Sequence, residues 1–113
     1  MADYKIKERK PGEKKPAPEK GMIATMKDDV DGEGFILEGK AIAHADKYEW
    51  QKAAAANVSD TSVPPASYVT FKINGKIKFV DDDVQRGVRY FYRYRGLNAT
   101  ANGEWSDGVS SVQ

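Results

Sequence analysis

Val84-Gln85-Arg86-Gly87-Val88-Arg89-Tyr90-Phe91-Tyr92-Arg93-Tyr94-Arg95-Gly96-Leu97-Asn98 is the stretch that decides the fold. In an extended strand, alternate residues share a face. Val88, Tyr90, Tyr92 and Tyr94 then fall together. Arg89, Arg93 and Arg95 fall on the opposite face, with Phe91 among them. The tyrosine face is the natural core face, because a buried tyrosine contributes a large apolar ring and needs one partner for its hydroxyl. Gly87 fits a tight corner before the strand. Val88 to Leu97 is the longest strand expected in the chain.

Working outward, the same texture recurs. Short apolar or alternating runs are separated by turn residues, which reads as an all-β domain. Upstream lie Met22 to Met26, Phe35 to Glu38 with a possible extension to Ile42, and Lys47 to Lys52. Asp28 to Gly34 breaks the first run, and an Ala-, Ser- and Pro-rich loop runs to about Ala66. Tyr68 to Ile73 and Lys76 to Val80 flank Asn74-Gly75, a dipeptide that predicts a hairpin between them. A last strand is expected around Trp105 to Val112. Tyr48 to Ala56 has some helix-friendly composition, but a strand explains Tyr48 and Trp50 better, because they share a face. About seven strands in such a length point to a two-sheet sandwich.

Three segments resemble fibronectin type III domains of the immunoglobulin-like superfamily. Val84 to Asn98 is similar to the family's corner and following strand: a Gly-containing turn, then Tyr, alternating apolar residues, Arg and a closing Asn. Asn102-Gly103-Glu104-Trp105-Ser106-Asp107-Gly108-Val109-Ser110 resembles the hairpin and last strand. Ala45 to Gln51 resembles the turn into the third strand. The resemblance covers roughly residues 22–113. It implies that Tyr90 takes the tyrosine-corner role, its hydroxyl bonding back to the turn. It also makes Trp50 the central core aromatic, and lets Pro16 and Pro18 serve as the Pro-rich start of the first strand. The family's tryptophan late in the second strand has no counterpart, since Gly39 or Lys40 stands there. Trp105, beside Arg93 and Arg95, resembles the cation–π ladder of cytokine-receptor domains of the same superfamily, although the second Trp of that motif is absent.

The chain has 113 residues, room for one domain and little more. Residues 1–20 form a lysine- and proline-rich arm and residues 21–113 the sandwich. In the arm Lys5, Lys7, Arg9, Lys10, Lys14, Lys15 and Lys20 outnumber Asp3, Glu8, Glu13 and Glu19. Only Tyr4 and Ile6 offer apolar anchors, too little to offset the entropy of ordering. The arm is therefore expected to be disordered alone, and to serve either as a solubilising tail or as an anchor that orders on an acidic or strand-edge partner. Its candidate contact residues are Tyr4, Lys5, Ile6, Lys7, Arg9, Lys10, Lys14 and Lys15.

Net charge is +1, so no overall field recruits nucleic acid or anionic membrane. Without cysteine there is neither a disulfide nor thiol chemistry. No apolar stretch is long enough to span a membrane. Met1 to Lys5 leads into charge rather than an apolar signal region, so a cytoplasmic or virion-associated location is expected. The sequons Asn57-Val58-Ser59 and Asn98-Ala99-Thr100 are then expected to stay unused.

No catalytic constellation emerges. His44, the single histidine, has no nucleophile motif and reads as a turn residue. Asp29 to Gly34 faintly resembles a calcium loop, but the twelfth position is Lys40 instead of a bidentate Glu. Asp81-Asp82-Asp83 reads as a solvated strand end. The aromatics of the Arg89–Arg95 strand mostly face inward, leaving few to stack on bases. The expectation is a non-enzymatic structural or interaction module without cofactor, metal or small-molecule substrate. Its partner would be a protein of a larger assembly, such as a phage virion, with the arm as tether. The alternative is an adhesion or carbohydrate-binding module from a larger secreted bacterial protein.

Overall fold

The computed structural model describes residues 15–30 and 32–113. Seven strands follow one another: β1 (Ile23–Asp28), β2 (Phe35–Gly39), β3 (Lys47–Ala54), β4 (Val69–Asn74), β5 (Lys78–Asp81), β6 (Arg89–Leu97) and β7 (Val109–Val112). A single 3-10 turn, Pro65–Ser67, precedes β4. The strands form two antiparallel sheets, ordered β1-β2-β5 and β4-β3-β6-β7. This is the sandwich the alternation implied.

β6 is central because both its faces are used. Its ladder with β3 runs without interruption from Lys47↔Leu97 to Ala54↔Tyr90. Tyr90, Tyr92 and Tyr94 point between the sheets and join Ile23, Phe35, Leu37, Ile42 and Trp50 in one core. Trp50 stacks on Tyr94 with ring centroids 4.5 Å apart, and Phe79 meets it edge-on at 4.9 Å. Phe35 packs edge-on against both Tyr90 and Tyr92. Gly39 makes the Trp50–Tyr94 stack possible: a Cβ there would lie 2.6 Å from the Tyr94 ring. The position where the resemblance looked for a tryptophan is thus empty so that a tyrosine from the opposite sheet can enter.

Each inward tyrosine sends its hydroxyl to the rim of the core. Gln85 N–H donates to the Tyr90 hydroxyl at 2.9 Å, which ties the start of β6 back to the turn before it. Gly87, inside that turn, has φ +84°, a backbone region that favours glycine. The Tyr92 hydroxyl donates to Asp81 at 2.7 Å. The Tyr94 hydroxyl accepts from Met22 N–H at 3.1 Å and reaches the Lys40 carbonyl, fastening β1 across the sandwich.

Two expectations are corrected. Asn74-Gly75 does not close a hairpin. β4 pairs with β3, and β5 pairs with β2 in the other sheet. Lys76 N–H donates to Asn74 Oδ1 at 2.9 Å, and the Trp50 indole N–H donates to Lys76 O at 3.3 Å. The turn is local, but it hands the chain from one sheet to the other. The last strand is also shorter than Trp105 to Val112. Opposite Tyr94, the Ser106 hydroxyl oxygen accepts the Tyr94 N–H at 3.0 Å, where a strand would have offered a carbonyl. The backbone departs from the ladder there, and regular pairing begins only at Val109.

The open edges are guarded. β5 and β7 are four residues each. The β1–β2 register shifts between Ile23 and Thr25, and the β3–β4 register shifts between Trp50 and Gln51. Short or bulged edges discourage pairing with another strand.

Candidate interaction surfaces

The outer face of the four-stranded sheet carries a stack of alternating aromatics and guanidiniums. Arg93 and Arg95 are two residues apart on β6 and so project from the same face. Their guanidinium carbons lie 4.3 and 4.2 Å from the centre of the Trp105 ring, and they bracket it. Arg93 also lies 4.2 Å over Tyr68. Planar, weakly hydrated guanidiniums suit such stacking better than ammonium groups do. β3 holds the stack from below. Arg95 forms an ion pair with Glu49 at 2.8 Å, and Arg93 Nε donates to Gln51 at 2.9 Å. Burial lowers the Arg93 pKa, opposed by Tyr68 and reinforced by the neighbouring Arg95 charge. Burial raises the Tyr68 pKa, opposed by the Arg93 charge.

The long connection between β3 and β4 is pinned over the same face. Arg89 Nε donates to Val58 O at 2.7 Å, and Arg93 donates to Pro65 O at 3.4 Å. Phe91 and its cross-strand partner Ala53 are buried on this outer side. The sheet therefore has a small second apolar site outside the main core.

Inside the sandwich, Lys52 joins the two sheets. Its ammonium lies 3.0 Å from the Asp81 carboxylate, donates to Asp83 O at 2.6 Å, and sits near the faces of Phe71 and Tyr90. Asp81 is 6% exposed and also accepts from Tyr92. Burial first, and the Asp81 carboxylate second, drive the Tyr92 pKa far above its usual value. Asp81 is thereby committed to Lys52 and Tyr92. Among the described residues no group of three or more His, Asp and Glu side chains is placed to hold a metal.

The third surface is the pole carrying residues 40–46 and 98–104. Of the arm residues singled out for partner contact, Tyr4, Lys5, Ile6, Lys7, Arg9, Lys10 and Lys14 lie outside the described residues. Lys15 pairs with Asp46. Residues 15–20, grouped with the arm by composition, are laid against the sandwich. Asn98 Nδ2 donates to Pro16 O at 2.7 Å and to His44 O at 2.9 Å. Asn98 Oδ1 accepts from Thr100 N–H and Ala101 N–H. Glu19 N–H donates to Ala43 O at 3.3 Å, and Lys20 pairs with Asp107 at 3.0 Å. The Asp107 hydrogen bond raises the Lys20 pKa. Pro18 is buried. His44 sits in the turn at φ 70°, and its carbonyl is held by Asn98.

Sequence reasoning brought Arg93, Arg95 and Trp105 together but missed Tyr68, Glu49, Lys52 with Asp81, and the Asn98 clamp. Alternation places Glu49 and Arg95 on outward faces, but only the β3–β6 register makes them partners. Asn98 had a signal in the resemblance, as the closing Asn, although its contacts to residues 16 and 44 are long-range.

No family model and no curated protein matches this chain. Solved structures superimpose on it, two of them as follows. The FN3tt mutant does so with a TM-score of 0.61 and 15% sequence identity, covering 86% of this chain and 97% of its own. An Fn3-like protein from Clostridium thermocellum does so with a TM-score of 0.61 and 19% identity, covering 86% of this chain and 92% of its own. The fold is fibronectin type III-like. At these identities the likeness is one of fold alone. Among the described residues no helix is long and apolar enough to cross a membrane.

Proposed function

We infer that the chain is a non-enzymatic structural or interaction module that decorates or cements a larger assembly, a phage virion being one such case, with its N-terminal arm as tether. The observation that carries this reading is the covered pole. Loops at one end of such a sandwich are a common place for ligands. Here residues 15–20 lie across that end, seated by Asn98, Ala43, Asp46 and Asp107. That gives the arm a seated root, and the sequence ahead of it carries five basic residues, Lys5, Lys7, Arg9, Lys10 and Lys14, suited to an acidic partner. The adhesion or carbohydrate-binding reading has less support. Sugar platforms need an open aromatic face, whereas Trp50 is buried and Trp105 is bracketed by two guanidiniums.

The test is attachment to purified particles or lysate of the source, comparing the full chain with a chain lacking residues 1–14. That deletion leaves the seated root intact. The tether reading expects the full chain to co-sediment stoichiometrically with one repeating subunit, and the shortened chain to stay in the supernatant. Equal attachment of both, or retention on glycans alone, would turn the assignment to the adhesion reading.

A further inference from the structure

The seat of residues 15–20 is a built binding slot rather than a chance contact. Pro18 enters between two glycines that leave no room for anything else. A Cβ at Gly96 would lie 2.9 Å from Pro18 Cβ and 2.8 Å from Ala45 Cβ, and one at Gly103 would lie 2.9 Å from Pro18 O. Two backbone groups of the bound segment are also read. The Pro16 carbonyl accepts from the Asn98 amide, and Glu19 N–H donates to Ala43 O. Oppositely charged partners flank the segment at both ends, Lys15 with Asp46 and Lys20 with Asp107. Carbonyl, proline and N–H are contacted in sequence along an extended segment, the way proline-containing peptides are recognised.

Among the described residues the segment is held by the proline seat, two backbone hydrogen bonds and two ion pairs. It belongs to no strand, and no ladder of backbone bonds must break to release it. It lies at one end of the described chain, immediately before Gly21. Exchange of such an element between copies leaves every contact unchanged and is a low-cost route to association. Local concentration then decides between filling the slot from within and filling it from a neighbour.

We propose that this Gly96–Gly103–Asn98 slot is an interchain docking site whose occupant is the Lys15–Lys20 segment of a second copy of the chain. Copies crowded on a surface would exchange segments and link to one another. The idea rests on the tether reading, which supplies the crowding, and it names the neighbouring copy as a second partner besides whatever the first fourteen residues bind.

The absence of cysteine permits a direct test. Full-length Pro18→Cys protein is mixed at high concentration with full-length Gly103→Cys protein and oxidised. Pro18 Cβ lies 3.0 Å from the Cβ position at Gly103, close enough for a disulfide after a small adjustment. The expected result is a covalent heterodimer in excess of that formed by Pro18→Cys with Val30→Cys, a position 91% exposed. The excess should be lost when Asn98→Ala is added to the Gly103→Cys chain. Because Gly103→Cys could disturb folding, unmodified protein is also followed by native mass spectrometry as concentration rises. A dimer that grows with concentration and vanishes in Pro16→Gly/Pro18→Gly supports exchange. Heterodimer no greater than the Val30→Cys control, together with a strictly monomeric unmodified protein, overturns it. The chain lacking residues 1–14 keeps the slot and its occupant. If it still exchanges but no longer attaches to particles, the docking site and the tether both stand. If the full chain attaches but never exchanges, only the docking site falls.

Discussion

The two faces of β6 bury planar side chains by different physics. On the inner face Tyr90, Tyr92 and Tyr94 lie in an aromatic core, their hydroxyls reaching polar partners at the rim and the Lys52 ammonium lying near the face of Tyr90. On the outer face Arg93 and Arg95 remain partly exposed and lie over the Trp105 ring, Arg93 over Tyr68 as well. Burial on the inner face removes apolar area from water, and voids there are costly. Stacking on the outer face covers apolar rings with charged groups that stay hydrated at their edges, so each contact contributes less. The inner face should therefore set stability, and the outer face should set the position of the segments it holds.

Substitutions that separate the two faces should rank accordingly. Trp50→Ala removes the fully buried ring stacked on Tyr94 and should cost about 3–5 kcal/mol in chemical denaturation, the range for large aromatics cut from a core. A loss under about 1 kcal/mol would mean that the core is not organised around this ring.

Tyr92→Phe keeps the ring but removes a hydrogen bond to buried Asp81, and should cost about 1–3 kcal/mol. It should also change the alkaline limb of the stability curve. The folded-state pKa of Tyr92 lies above the unfolded value of about 10, so its contribution is complete below that pH and declines as pH rises beyond it. Denaturation midpoints measured from pH 8 to pH 11 should fall less steeply in Tyr92→Phe than in the parent. Parallel curves would show that the phenol is not shielded.

Trp105→Ala unstacks both arginines at once and should cost about 1–2 kcal/mol. A double-mutant cycle between Trp105→Ala and Arg93→Ala should give a coupling of about 0.5–1 kcal/mol. Zero coupling would reduce the stack to proximity. Smallest of all, Lys20→Ala breaks an exposed, solvent-screened ion pair and should leave the denaturation midpoint unchanged.

The same contrast explains what the sequence could tell. Residue parity makes the core face of β6 legible, because alternation is a property of the strand itself and needs no partner. Parity also placed Arg93 and Arg95 together and suggested Trp105 beside them. It could not identify Tyr68, which comes from a loop 25 positions before Arg93 and is placed only by how that loop folds back. Asn74-Gly75 announced a turn and was right about that. A turn signal carries no information on which sheet receives the next strand, and the chain changed sheets there. Trp105 to Gly108 read as the start of the last strand, yet the Ser106 side chain took the place of a backbone acceptor. The arm is charged and proline-rich in the sequence. The seat for Pro18, however, depends on glycines at 96 and 103, whose role appears only when three distant segments meet.

The Lys15 side of the sandwich and the Gln113 side are at opposite poles. Lys15 is fastened beside Asp46, whereas Gln113 exchanges hydrogen bonds with both the N–H and the carbonyl of Gly34. A pull applied between these points would draw β1 lengthwise along β2 and β7 lengthwise along β6. Antiparallel cross-strand bonds lie perpendicular to such a pull, so they share the load and must yield together rather than one after another. The irregularity at the beginning of β1, between Ile23 and Thr25, is the gap in that row. Under tension the molecule would behave as a stiff link that gives first at the end nearest Lys15.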